Sequence, residues 1–157
     1  MSVTAWVLGT FHTAAVGLTL LLLAYPGGGL GTTLAGLSTL TGLALFLALW
    51  AITVFATGRA IKGLDLGGGA TAGYHRRAIR WGALNGALFL WSFAALLAVQ
   101  QQITAPGTLQ LQTVLLGAGF VVGIGSAFAL AIGALVGLVL ASIDLAGLAL
   151  ARAIVSG

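Results

Sequence analysis

The chain has 157 residues, of which 60% are hydrophobic and only 5% are charged, and its net charge is +4. A soluble domain carries about 25% charged residues, so this composition excludes a water-soluble globule and predicts a protein surrounded by lipid. The absence of cysteine excludes disulfides, thiolate metal sites and cysteine catalysis. The cations lie beside apolar stretches, where anionic lipid headgroups attract them, so we expect membrane lipids as partners and no nucleic acid.

The first two predicted spans cover residues 3–25 and 32–57. About 20 apolar residues cross a hydrocarbon core of about 30 Å, and each stretch is long enough. The N-terminus has no basic region of the kind that opens a cleavable signal peptide, so we expect the first span to be retained. Pro26 and the glycines after it interrupt the helix between the two spans.

A basic connection follows at residues 58–76. No charged residue occurs from Met1 to Gly58 or from Trp81 to Ile143, so the cations between these blocks mark a cytoplasmic loop by the positive-inside rule. We predict that five of them contact lipid headgroups: Arg59, Lys62, Arg76, Arg77 and Arg80.

The third span is predicted at residues 77–100 and the fourth at residues 112–140, with a helical tail at residues 141–157 on the cytoplasmic side. The sequence thus predicts an all-α, integral membrane four-helix bundle, built as two helical hairpins in a single domain of residues 1–157. Four spans place both termini in the cytoplasm, and the expected location is the cell membrane as a multi-pass protein.

Glycines recur at a spacing of four in the last span, where they place small residues on one helical face. Close approach of two backbones at such a face favours helix packing in lipid. The pairs are Gly119 with Gly123 and Gly133 with Gly137. Packing within the bundle and packing against a second chain both remain open.

Intramembrane polar groups are candidates for function, and three of the polar residues within or beside the spans stand out. They are His12, Asn85 and Asp144. His12 would serve as a haem ligand or proton relay, or would be a neutral imidazole bonded to Thr or Ser of a neighbouring helix. Asp144 is expected to pair with Arg59, Lys62 or Arg80.

No nucleophile, metal cluster or carboxylate pair is recognisable, so we expect no enzyme activity, no cofactor and no metal. The first functional hypothesis is an accessory or oligomerising subunit of a membrane complex, associated with itself or with other membrane subunits. The alternatives are a small pore or transporter for a weakly polar solute and, less favoured, a haem-binding electron-transfer anchor that uses His12.

Overall fold

The computed structural model describes residues 2–25, 39–63, 71–104, 116–117 and 119–156. Within these ranges the chain forms helices α1 (Val3–Ala24), α2 (Thr39–Ile61), α3 (Thr71–Thr104) and α4 (Ser126–Ser156), and a π-helical turn, Val121–Gly125, precedes α4. All four helices are long and apolar enough to cross a membrane. The prediction of an all-α protein with four candidate spans is therefore confirmed, and the chain has the architecture of a multi-pass membrane protein.

The helix ends differ from the predicted spans. The start predicted for the second span, residues 32–38, lies outside the described residues. Helix α3 begins inside the predicted basic connection, at Thr71, and α4 continues without a break through residue 141, where the helical tail was predicted to begin. The helix continues because Ala141, which is 1% exposed, packs on the same face as Gly133 and Gly137.

Helices α2, α3 and α4 form an antiparallel layer with α3 in the middle, because α3 packs along both of the others. Thr41 of α2 lies beside Gln100 of α3, and Thr53 lies beside Asn85, so residue numbers fall on one helix as they rise on the other. The same opposition holds between α3 and α4, whose contact is the most extensive in the protein. The C-terminal ends of α2 and α4 and the N-terminal end of α3 therefore lie together.

Small residues bring α3 and α4 into backbone contact. A Cβ added to Gly82 would lie 2.5 Å from the carbonyl oxygen of Gly133 and 2.9 Å from Cα of Gly137. Gly86 and Ala78 of α3 meet the same row of α4. Two rows of small residues spaced by four thus interlock, and dispersion contacts between the backbones hold the pair where lipid surrounds it.

Helix α1 crosses α2 through the first half of its length. Three contacts define the crossing: Trp6 with Trp50, Gly9 with Val54, and His12 with Thr57. The buried residues of α1 lie in its first half, at Ala5, Gly9, His12 and Thr13.

A polar network beside an inter-helical cavity

Four side chains from four helices form one hydrogen-bonded network, which we call the His12 network. The ring Nδ1 of His12 lies 3.2 Å from Oγ1 of Thr57, and its Nε2 lies 3.1 Å from each carboxylate oxygen of Asp144. The hydroxyl of Tyr74 donates to Oδ2 of Asp144. One imidazole therefore links α1 to both α2 and α4, and the carboxylate links α4 to α3.

The His12 network is almost completely shielded. The side chains of His12 and Asp144 are each 6% exposed, and Tyr74 is 3% exposed. An ionised carboxylate only accepts hydrogen bonds, so Nε2 of His12 carries a proton. Neutral His12 then accepts from the Thr57 hydroxyl at Nδ1, while protonated His12 donates to the same oxygen. Every member has a partner in either state, as buried polar groups require.

The order hydroxyl, imidazole, carboxylate also occurs in catalytic triads, so acyl transfer by Thr57 needs to be considered. Thr57 lies within α2, and the backbone N–H groups beside it donate along that helix. They are therefore not free to stabilise an oxyanion, the requirement that accompanies such a nucleophile. The geometry supports a role in tying the four helices together.

The partner of Asp144 differs from the expected one. Among the described residues its only ion-pair partner is His12, and neither Arg59, Lys62 nor Arg80 contacts it. Burying a guanidinium or an ammonium requires full desolvation of a fixed charge. An imidazole makes the same hydrogen bond with or without the charge, so it is the less costly buried partner.

The cations themselves lie at the end of the helical layer where α2 ends and α3 begins. The guanidinium of Arg59 lies 5.0 Å from the ring centre of Phe55 and 5.8 Å from that of Trp81, which are cation–π distances. Arg77 donates to the backbone carbonyl of Lys62 at 2.6 Å. The side chains at Arg76 and Arg80 are exposed. These positions leave the charged groups at the periphery, away from the cavity.

Asn85, the third polar residue singled out in the sequence, lies on α3 apart from the His12 network. It forms a pair with Thr53 of α2, with separations of 3.3 and 3.4 Å. These distances exceed the usual 2.7–3.2 Å of an N–H···O bond, so the pair is weak. Thr53 is 4% exposed and Asn85 is half-buried.

A partly open cavity of about 360 Å³ lies between α1 and the layer of α2, α3 and α4. His12, Thr57 and Tyr74 line one part of it and the Thr53–Asn85 pair another, while most of the remaining wall is aliphatic and aromatic, as at Leu20 and Phe93. The volume falls within the range of about 300–1,000 Å³ typical of small-molecule sites. Among the residues that the structure describes, no Lys, Arg, Asp or Glu lines the cavity.

The second histidine does not join the first. His75 contacts Ser142 at 3.4 Å on the outer side of α3, whereas both nitrogens of His12 are engaged within the His12 network. The parts of the chain that the structure describes contain no group of three metal-ligating side chains. The two imidazoles are therefore not placed as a pair of axial haem ligands.

The predicted glycine pairs separate into two kinds. Gly133 and Gly137 lie in the contact with α3, while a Cβ added to Gly119 or Gly123 would meet no atom within 4 Å. Two further groups of residues were not predicted from the sequence: Tyr74 with Thr57, and the α3 row of Ala78, Gly82 and Gly86. The spacing of that row was a usable signal, whereas nothing in the sequence indicated that Tyr74 and Asp144 would meet.

The chain has no significant match among curated proteins or solved structures. One family model covers it completely, from residue 1 to residue 157. The chain therefore belongs to DUF7965, a family of unknown function.

Proposed function

We propose that this protein is a non-enzymatic membrane protein that binds a small, lipid-soluble molecule in the cavity between α1 and the α2–α4 layer. The observation that carries the proposal is the cavity itself, with about 360 Å³ of space and wall residues from all four helices. A void of that size forfeits the packing of many side chains. A bound molecule that restores those contacts accounts for a cavity of this kind.

The arrangement of α1 supports access from the lipid. Helix α1 packs extensively against α2 alone, and His12 supplies its hydrogen bonds to α4. Beyond that point Val16 and Leu20 line the cavity. An apolar molecule in the bilayer can therefore reach the cavity beside the second half of α1 without crossing a polar headgroup layer.

The other hypotheses have less support from the packing. Two glycine pairs motivated the oligomerising subunit: Gly133 and Gly137 contact α3 of the same chain, and a Cβ added to Gly119 or Gly123 meets no atom within 4 Å. A pore for polar solutes needs a hydrated path, whereas the wall at Leu49, Leu20 and Phe93 is apolar. The haem anchor lacks a second ligand placed opposite His12.

For orientation we propose that the end carrying Arg59, Lys62 and the first turns of α3 faces the cytoplasm, in the cell membrane, with anionic lipid headgroups around it. The antiparallel packing of α3 and α4 puts the C-terminus at the same end. Four crossings would place the N-terminus there as well.

Photolabelling tests whether a lipid-soluble molecule binds in the cavity. The purified full chain is placed in phosphatidylcholine vesicles with a long-chain hydrocarbon that carries a diazirine, and the labelled peptides are identified by mass spectrometry after illumination. We expect adducts at cavity-lining positions of α1 and α4. Val136→Trp, which places a large ring in the cavity, should reduce them at least fivefold.

Val139→Trp is the matched control, because Val139 lies one turn further along α4, is 57% exposed and does not line the cavity. It should leave the cavity adducts unchanged. Adducts confined to lipid-facing positions, or an equal effect of both substitutions, would refute the binding function.

A further inference from the structure

We infer that the molecule bound in the cavity is electrically neutral and carries one hydroxyl or carbonyl group, which Asn85 recognises. This inference rests on the proposed function and adds the chemistry of the ligand to it. Its basis is that the polar groups of the His12 network already bond to one another, whereas Asn85 of the same wall keeps unused hydrogen-bonding capacity.

The His12 network has little left to offer a ligand. Both nitrogens of His12 are engaged, the Tyr74 hydroxyl donates to Asp144, and Thr57 contacts His12. A ligand group that bound there would have to break a buried contact and leave its former partner unsatisfied, which costs free energy. The network is thus a closed part of the wall.

Asn85 has hydrogen-bonding capacity beyond its contact with Thr53. Its amide carries two N–H donors and a carbonyl oxygen with two lone pairs. Thr53 has a single hydroxyl, and its separations from the amide of 3.3 and 3.4 Å indicate a weak contact. The remaining donor and acceptor are available on a half-buried side chain of the cavity wall. A hydroxyl matches both, and a carbonyl matches the donor.

The electrostatics of the cavity wall require a neutral ligand. None of the six Lys and Arg residues lines it, and the nearby Asp144 is paired with His12. An ion bound there would lose its hydration and find no opposite charge in the cavity, which costs much free energy. The long apolar wall on either side of Asn85 fits the hydrocarbon or ring system that such a molecule would carry.

Head-group comparison tests the inference. Four diazirine probes with the same long chain are used on the full chain in phosphatidylcholine vesicles: a hydrocarbon, an alcohol, a carboxylate at pH 8 and a trimethylammonium. We expect the alcohol to label the cavity at least tenfold more than either charged probe. Asn85→Leu should lower labelling by the alcohol about five- to tenfold, the equivalent of one hydrogen bond, and leave the hydrocarbon unaffected.

Ser92→Leu is the matched control on α3, because Ser92 bonds only to the Leu88 carbonyl of its own helix and does not line the cavity. Asn85→Ala is the second variant if Asn85→Leu does not fold. Equal cavity labelling by all four probes, or wild-type labelling of the Asn85 variants by the alcohol, would overturn the inference alone. Absence of cavity labelling by every probe, the hydrocarbon included, would overturn the proposed function and this inference with it.

Discussion

Removing the carboxylate of Asp144 should be among the most damaging single changes in this chain. Asp144→Leu leaves Nε2–H of His12 and the hydroxyl of Tyr74 without their acceptor, in side chains that are only 6% and 3% exposed. Each unsatisfied buried group costs about 1–3 kcal/mol. Hydrogen bonds in membrane proteins average nearer 0.6 kcal/mol, so we expect a loss of about 2–4 kcal/mol in the free energy of unfolding.

Replacing the whole buried set should restore most of that loss. In the triple variant His12→Leu, Tyr74→Phe, Asp144→Leu no polar atom of these three side chains remains to be satisfied, and Thr57 can turn its hydroxyl to the carbonyl four residues earlier in α2. Apolar replacement of a buried polar set is often neutral. We therefore expect the triple variant to unfold within about 1 kcal/mol of wild type.

Unfolding by dodecyl sulfate in mixed micelles, followed by circular dichroism, measures all of these free energies. Ala146→Leu, an exposed position two residues beyond Asp144 on α4, is the control and should change stability by less than about 0.5 kcal/mol. Two results would contradict this reasoning: Asp144→Leu unfolding like wild type, or the triple variant being no more stable than Asp144→Leu. Either would show that hydrogen bonding within the His12 network does not hold the four helices together.

Two further predictions concern packing and orientation. Gly9→Ala should destabilise the chain by about 1–3 kcal/mol, because the new Cβ would lie 2.6 Å from Cα of Val54. Gly17→Ala is the control on the same helix: its Cβ meets no atom within 4 Å, so it should be neutral or slightly stabilising. Equal stabilities of the two variants would show that α1 does not cross α2 at Gly9. Because the chain has no cysteine, a single introduced cysteine can be labelled in intact cells without background from the chain itself. Lys62→Cys should react with a membrane-impermeant thiol reagent only after the membrane is permeabilised, and Ile103→Cys should react before. The reverse pattern would invert the proposed orientation.

Helix number and class could be predicted from the sequence because they follow from one requirement. Backbone groups in lipid must be satisfied within the chain, so long uncharged stretches have to form helices. The small-residue row containing Gly133 and Gly137 could also be read from its spacing. Its partner row of Ala78, Gly82 and Gly86 has the same spacing and was available to the same reasoning.

The His12 network could not be predicted in this way. Asp144 is separated from Tyr74 by 70 residues and from His12 by 132, so no local pattern connects them. Charge alone favours a cation as the partner of Asp144, whereas burial favours the imidazole. Burial decides the partner only if the Asp144 carboxylate points between the helices. Its direction depends in turn on where α1 crosses the layer, which the sequence does not give.

The packing of α1 also bears on the proposed entry of a ligand. The first half of α1 is fixed by the close approach at Gly9 and by the hydrogen bonds of His12. Its second half lines the cavity with Val16 and Leu20, and Leu18 between them is 58% exposed. Segments with few buried contacts open at low free energy. Under the proposed function, we expect a molecule that enters beside Leu20 to displace only this half of α1 and to reach Asn85 with the His12 network intact.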